Sequence, residues 1–331
     1  MTYFACGIAI RAGWNSWETL HRLAIFSESR GFHSLWVTED SFREEALASL
    51  GALAVTTNKI RLGAGVLNPF TRAPPLIGMA AVTLSRLSSG RFILGLGRGD
   101  DVIIQERLGL PYKKSFALLR ECMMVTKELQ REKLSKQRRI GRVSQVVGID
   151  DLGVDHVPVW IGTGGTNGAI FAGKYSDGLI LNVYSSVSYA AYVRDQFLTA
   201  AKAEGRRTAD LTTAAFLPVF LSHSDNTANY ASIKRSIATW LGRFSYGEML
   251  LERSGVDKTV FRGIAYNIRR GRLDLAVEFI SNETVKLLCA VGSHHDIERR
   301  IEDLRVAGVN VVVLVPRLQS FRAIARTLSP K

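Results

Sequence analysis

The chain has few cysteines, no long hydrophobic run and no secretion signal. Its three cysteines, Cys6, Cys122 and Cys289, are odd in number and far apart in apolar segments, which favours reduced core thiols over disulfides or a metal site. No stretch reaches the roughly 20 apolar residues that a bilayer requires. The first ten residues lack the basic start and cleavage site of a signal peptide. We therefore expect a cytoplasmic protein without a membrane segment.

Metal-ligand and nucleophile patterns are also missing. The six histidines show no ligand spacing with one another or with cysteine, so we expect no metal site. Ser293 and Asp296 beside two of them instead predict a helix N-cap and its capping box. No G-x-S-x-G sequence occurs, and nothing supports a serine or cysteine nucleophile.

The formal net charge is +13, and a basic run could mark a nucleic-acid surface. The run has no interleaved aromatic residues, unlike a surface that binds single strands. We interpret it as a solvated helix end and loop, and expect no nucleic-acid partner. A basic surface would equally help to collect an anionic cofactor or substrate. The run consists of Lys127, Arg131, Lys133, Lys136, Arg138, Arg139 and Arg142.

Strand and helix patterns alternate along the whole chain. Eight strand–helix units in a chain of 331 residues predict an α/β fold, a single-domain (β/α)₈ TIM barrel with its active site at the carboxyl ends of the strands. The predicted strands are residues 4–10, 34–38, 60–64, 92–96, 157–161, 178–182, 213–221 and 309–315. The predicted helices include residues 17–30, 44–57, 115–131, 166–175, 188–204 and 294–307.

Two connections are longer than a barrel needs. Residues 132–156 are polar and basic, and we expect an irregular loop near the rim. Residues 225–288 have a helical pattern and an apolar content that predicts packing. This helical insertion lies between the seventh and eighth predicted strands, where long insertions act as lids or substrate walls.

Residues 59–100 place one apolar helix between two strands that must be parallel. Functional groups then belong on the loops that follow these strands, residues 65–72 and 97–100. Gly65 lacks a Cβ, so a flat ligand could lie directly against its backbone. Gly97 and Gly99 do not form a dinucleotide fingerprint, and in a barrel they would make room.

Acidic residues follow the second and fourth predicted strands. Glu39 and Asp40 are consecutive and would point in opposite directions, one toward the barrel mouth and the other toward the wall or the next helix. Asp100 would come out near Glu39, and paired carboxylates suit proton transfer coupled to hydride transfer. The alternatives are solvated loop acids at Glu39 and Asp40 and a capping role for Asp100.

Glycines also open the helix after the fifth predicted strand. Free amides at Gly164 and Gly165, together with the Thr166 hydroxyl and the helix dipole, could hold a phosphate. An ordinary turn capped by Thr166 is the alternative.

These segments resemble the luciferase-like monooxygenase superfamily. The matching blocks are residues 31–40, 65–72, 89–100 and 158–182, with a weaker likeness at 307–309. Within the superfamily, the likeness is to the branch that uses the deazaflavin coenzyme F420, in particular the methylenetetrahydromethanopterin reductases. It implies a (β/α)₈ barrel that is often a homodimer.

The resemblance also implies roles for individual residues. The Gly65–Val66 bond matches a cis peptide behind the deazaflavin ring. Glu39 and Asp100 match the family's acids, whereas Asp40 stands where relatives often have histidine, which leaves the proton donor open. The positions implied to bind the cofactor are Gly65, Val66, Asn68, Gly97, Gly99, Gly164, Gly165, Thr166 and Asn182.

The implied reaction is hydride transfer between C5 of F420 and a small organic substrate with a C=N or C=C bond. Asp100 would handle the proton, and Glu39 would contact cofactor or substrate. The main alternative is an FMN-dependent two-component monooxygenase, which would need a partner flavin reductase. Residues 68–72 and the Gly99–Asp100 ending favour F420. A non-catalytic flavin-binding barrel is a third possibility, against which stand Glu39, Asp100 and the Gly164–Gly165 turn.

Overall fold

A computed structural model describes residues 5–11, 16–40, 42–130, 156–222 and 227–329. Its strands are β1 Ala5–Arg11, β2 Ser34–Thr38, β3 Arg61–Ala64, β4 Phe92–Gly97, β5 Val159–Thr163, β6 Gly178–Leu181, β7 Thr212–Leu221, β8 Ala290–Gly292 and β9 Val311–Pro316. Each predicted strand overlaps one of these, with ends that differ by no more than two residues. The three-residue β8 was not predicted, because so short a segment carries no alternating pattern.

Helices connect the strands. They are α1 Trp17–Ser29, α2 Ala46–Thr56, α3 Pro74–Leu87, α4 Ser115–Leu129, α5 Thr166–Tyr175, α6 Val187–Ala203, α7 Thr227–Leu241, α8 Gly247–Arg253, α9 Lys258–Arg269, α10 Leu273–Glu278, α11 Asn282–Leu288, α12 His294–Val306 and α13 Phe321–Thr327. A π-helical turn covers Ile103–Arg107. The predicted capping box is confirmed, because Ser293 and Asp296 bond each other's backbone at the start of α12.

Eight of the strands close into a parallel barrel. Strands β1 to β6 are neighbours in chain order, β7 pairs with β6 and β9, and β9 returns to β1. The short β8 pairs only with the last three residues of β7. The predicted barrel is confirmed, with β9 as its eighth strand.

The predicted helical insertion corresponds to helices α7 to α11, which lie between β7 and β9. The expected rim loop, residues 132–156, falls outside the described residues except for His156. Most of the basic run also lies there. No helix in the described ranges is both long enough and apolar enough to cross a membrane.

Large aromatic side chains fill the barrel interior. The rings of Trp160 and Phe216 lie 5.4 and 5.5 Å from the ring of Trp36, which is fully buried. Glycines on neighbouring strands make room for them. A Cβ at Gly63 would lie 2.3 Å from Trp36, and one at Gly178 would lie 2.8 Å from Trp160. The inward side chains thus form a packed core, as expected for a barrel of this size.

The space between barrel and helices forms a second, larger core. It includes the three cysteines, which are buried and free, so the predicted core thiols are confirmed. Burial raises the pKa of Cys6 and of Cys122 to about 12. Their thiols therefore remain protonated near neutral pH and are poor nucleophiles.

We predict that Gly63→Ala destabilises the protein, because its methyl group would overlap the immobile ring of Trp36. Overpacking of this kind costs about 1–3 kcal/mol. The control is Gly51→Ala in α2, where the nearest atom lies 3.9 Å from the new Cβ. Alanine at a helical glycine should stabilise by about 0.5–1 kcal/mol. Urea unfolding of both variants tests this, and equal effects would contradict it.

Candidate active site

The segment after β3 forms a bulge at the carboxyl end of the barrel. The Gly65–Val66 peptide bond is cis, as the family resemblance implies. The Gly65 amide donates to Val37 on β2 over 2.9 Å, and the Leu67 amide donates to Gly95 on β4 over 2.9 Å. Gly97 returns a bond to the Leu67 carbonyl over 2.8 Å. The bulge is therefore fixed to the strands on both sides.

The bulge directs the Val66 side chain onto glycines of β4 and β5. A Cβ at Gly97 would lie 2.6 Å from Val66, and one at Gly162 would lie 2.9 Å away. At Gly95 a Cβ would lie 2.0 Å from the carbonyl oxygen of Ala64. Gly97 thus makes room, as predicted, and the Val66 side chain fills that space. Its role toward a cofactor remains a prediction.

The residues beside the bulge form a tight turn. The Asn68 Oδ1 atom accepts the amides of Phe70 and Thr71 over 3.0 and 3.1 Å, an Asx-turn. Gly99 has a φ of +75°, and a Cβ there would lie 3.3 Å from Asn68 and 2.4 Å from Ile104. Asn68 and Gly99 therefore lie together at the rim, beside the ends of β3 and β4.

Glu39 belongs to an ion-pair network. Arg72 bonds both Glu39 and Glu45, and its Nη2 lies 3.2 Å from Glu39 Oε2. Burial would lower the pKa of Arg72, but the hydrogen bond and charge of Glu39, and then those of Glu45, outweigh burial and raise it. Glu39 also accepts the Ala46 amide at the start of α2 over 3.3 Å. Its oxygens are therefore already engaged.

Asp40 and Asp100 have partners of their own. Asp40 Oδ2 lies 2.7 Å from Nη2 of Arg11 on β1. Asp100 Oδ1 caps the following turn by accepting the amides of Val102 and Ile103 over 3.0 and 3.2 Å. Its Oδ2 lies 3.5 Å from Nη1 of Arg243, which belongs to the insertion. Glu39 and Asp100 lie at the same barrel end, each held by a different arginine.

The insertion covers the glycines that begin α5. A Cβ at Gly164 would lie 2.1 Å from the ring of Tyr246, so this ring lies directly against the backbone. The Gly165 amide is bonded to Thr163 Oγ1 over 3.1 Å, and Thr166 Oγ1 lies 3.4 Å from the Met249 sulfur. The Tyr246 ring and the Met249 sulfur thus lie beside the residues predicted to hold a phosphate.

Tyr246 was not identified from the sequence. Its hydroxyl oxygen accepts Trp240 Nε1–H over 3.1 Å and lies 3.5 Å from Asn182 Nδ2. Burial raises its pKa to about 12, so the phenol remains protonated. No motif marks Tyr246 or Trp240, because both belong to the insertion and approach the barrel only in the folded chain.

One face of α7 covers the barrel mouth. Ser232, Ser236 and Trp240 are spaced four residues apart and therefore share a face. Ser232 accepts a bond from Arg317, the Ser236 hydroxyl donates to the Ser232 carbonyl over 3.1 Å, and the Trp240 indole donates to Tyr246. We call these three residues the roof face.

In the ranges that the structure describes, no group of three or more His, Cys, Asp or Glu residues could hold a metal ion.

We predict that Glu39→Gln weakens the fold by about 1.5–3 kcal/mol, the usual contribution of hydrogen bonds to charged groups, because Glu39 and Arg72 are only 14% and 18% exposed. The control Glu302→Gln removes the same charge from an exposed pair with Arg305 and should leave stability unchanged. Urea unfolding measures both. If Glu39→Gln were as stable as the control, the ion-pair network would not contribute to the free energy of unfolding.

Known proteins share both sequence and fold with this chain. It is 26% identical over 295 residues to a 5,10-methylenetetrahydromethanopterin reductase from Methanolobus tindarius, covering 88% of this chain and 87% of that one. It is 33% identical to an F420-dependent glucose-6-phosphate dehydrogenase from Amycolatopsis mediterranei over 57% of this chain and 59% of the relative. These relatives are oxidoreductases.

Solved structures agree on the fold. The coenzyme F420 dependent tetrahydromethanopterin reductase from Methanopyrus kandleri superposes with a TM-score of 0.83 at 22% identity, covering 99% of both chains. Residues 4–310 match the family model described as luciferase-like monooxygenase. Because this match spans most of the 331 residues, the chain belongs to the luciferase-like monooxygenase family.

Proposed function

We propose that this protein is a coenzyme F420-dependent oxidoreductase that acts on a small organic substrate with a C=N or C=C bond. Two observations support the proposal. One relative over 88% of the chain and another over 57% of it carry F420-dependent names. The Val66 bulge, fixed to β2 and β4, also provides a shelf at the carboxyl end of the barrel, where barrel enzymes bind their ligands.

The residues around the shelf suit a flat ring. Gly65 and Val66 would support one face of the ring, and the Asn68 turn and Gly99 would border it. Bound F420 would supply the hydride chemistry at its C5 carbon. The turn predicted to bind the phosphate of such a cofactor is less open, because the Tyr246 ring lies against Gly164. Binding of a phosphate by Gly165 and Thr166 would also compete with their present bonds to Thr163 and Met249.

Asp100 is the better candidate for proton handling. Its Oδ2 atom faces Arg243 at 3.5 Å, a distance that leaves room for a closer donor. Glu39 is committed to Arg72 and to α2, so in this proposal it positions the arginine beside the site. Tyr246 and Trp240 would exclude water from above.

An FMN-dependent monooxygenase that works with a flavin reductase is the second candidate. It is supported by the fold of the oxygenating constituent of 3,6-diketocamphane monooxygenase from Pseudomonas putida, solved in complex with FMN, which covers 100% of this chain with a TM-score of 0.68 at 15% identity. Fold alone does not separate the two cofactors.

Calorimetric titration of the apo-protein with F420 and with FMN at equal salt discriminates between them. We predict that F420 binds at least about tenfold more tightly, a difference of about 1.4 kcal/mol. Gly97→Ala should weaken F420 binding, because its Cβ would displace Val66, whereas Gly51→Ala should not. Tighter binding of FMN would instead direct the search to oxygen consumption and a partner reductase.

We also propose that the protein is a cytoplasmic, single-domain homodimer. Leu76, Met79 and Leu87 form an exposed apolar stripe on α3, and Val55 is exposed on the adjacent α2. A stripe of this kind is typical of a face that a partner covers, and a second copy would cover it symmetrically. Free buried cysteines suit a reducing compartment.

Light scattering after size exclusion tests the homodimer. We predict that the wild type elutes as a dimer and that Met79→Glu, which places a charge in the stripe, elutes as a monomer. The control is Val306→Glu at a position on α12 that is 75% exposed, and it should remain dimeric. A wild-type mass near 36.5 kDa would mean a monomer and refute the proposal.

A further inference from the structure

Arg317 lies at the barrel mouth and, among the described residues, has no acidic partner. It directly follows β9, so it belongs to the same end of the barrel as the Val66 bulge. Its guanidinium lies 5.1 Å from the centre of the Phe220 ring, and its Nη2 donates to Ser232 Oγ over 2.6 Å. Within the described ranges, Arg317 forms no ion pair. Most of its five N–H donors are therefore not used by another side chain.

Three other arginines of the mouth differ in this respect. Arg11 pairs with Asp40, Arg72 with Glu39 and Arg243 with Asp100. Their positive charges are balanced by neighbouring carboxylates, whereas the partner of Arg317 is a neutral serine. In the part of the chain that the structure describes, the charge of Arg317 is therefore not paired with a carboxylate.

Tyr184 lies beside this charge in an unusual conformation. It follows β6 with a φ of +67°, in the left-handed region that aromatic residues rarely adopt and that is enriched at functional sites. Its side chain is 8% exposed, and its ring centre lies 6.5 Å from that of Trp240. Burial raises its pKa, and the nearby Arg317 and Arg11 offset this only in part. Tyr184 therefore remains a neutral hydrogen-bond donor.

Arg317, Tyr184 and Ser232 together have the chemistry of an anion subsite. A guanidinium forms two parallel bonds to a carboxylate or phosphate, and hydroxyl groups can complete the coordination of such a group. The Phe220 ring below Arg317 restricts the orientation of the guanidinium. The subsite opens at the barrel end that carries the bulge, so a ligand bound there could extend toward the shelf.

We infer that Arg317 binds an anionic group, a carboxylate or phosphate, on the substrate of this protein, with Tyr184 and Ser232 as further donors. The inference rests on the proposed function, because it assigns the substrate class of that site. A substrate without a negative charge would leave Arg317 uncompensated, and the subsite would therefore select against it.

The test measures binding of small anions to the apo-protein. Inorganic phosphate and glutarate are titrated separately by calorimetry at constant ionic strength, and the stronger of the two indicates whether the group is a phosphate or a carboxylate. We expect saturable binding by the wild type and at least about tenfold weaker binding by Arg317→Gln. Arg317→Lys keeps the charge but not the paired donors, and should be intermediate.

Two controls accompany the titration. Arg305→Gln removes an equal charge from the exposed pair with Glu302 on α12 and should bind the anion like the wild type. F420 affinity of Arg317→Gln should be unchanged, which separates this inference from the proposed cofactor. Saturable binding that survives in Arg317→Gln, or no saturable binding of either anion by the wild type, would overturn the inference. If the wild type did not bind F420, that result would instead contradict the proposed function.

Discussion

The close approach of β3 to β4 is the constraint on which the mouth of the barrel depends. The carbonyl oxygen of Ala64 lies where a Cβ of Gly95 would be, 2.0 Å from that position. This contact lets the chain turn inward after β3, so that Val66 can lie on Gly97 and Gly162. The shelf, the Asn68 turn and the position of Asp100 all follow from it. With any side chain at Gly95, the two strands could not keep this separation.

The second organising feature is the attachment of the insertion to the barrel. It is held through Arg243 and Asp100, through Tyr246 and Asn182, and through Ser232 and Arg317. Each contact joins the insertion to a residue that follows or ends a barrel strand. The floor of the site is thus supplied by the barrel and its roof by the insertion. Relatives with the same floor can differ in substrate, because fold and chemistry are separable.

Much of the fold could be predicted from the sequence, because barrel strands buried on both faces form short apolar runs separated by helical patterns. The positions of Glu39, Asp100 and the Gly65–Val66 bulge followed from the ends of those runs and from the family resemblance. The partners of the acids could not be predicted. Arg243 lies 143 residues from Asp100, and only the folded insertion brings them together. Tyr246 and Tyr184 could not be identified from the sequence either. Tyr246 is distinguished by its tertiary contacts and Tyr184 by a backbone angle, and no sequence pattern encodes either feature.

The packing of Val66 also has a consequence for how this sequence can change. Its two methyl groups lie in the space left by Gly97 and Gly162, and the carbonyl oxygen of Ala64, two residues earlier, lies in the space left by Gly95. A side chain at Gly97 or Gly162 would displace the valine, and one at Gly95 would displace the Ala64 carbonyl. The four positions therefore form one epistatic unit. We expect substitutions at these four positions to occur together in homologues, whereas solvent-facing helix positions can change independently of them.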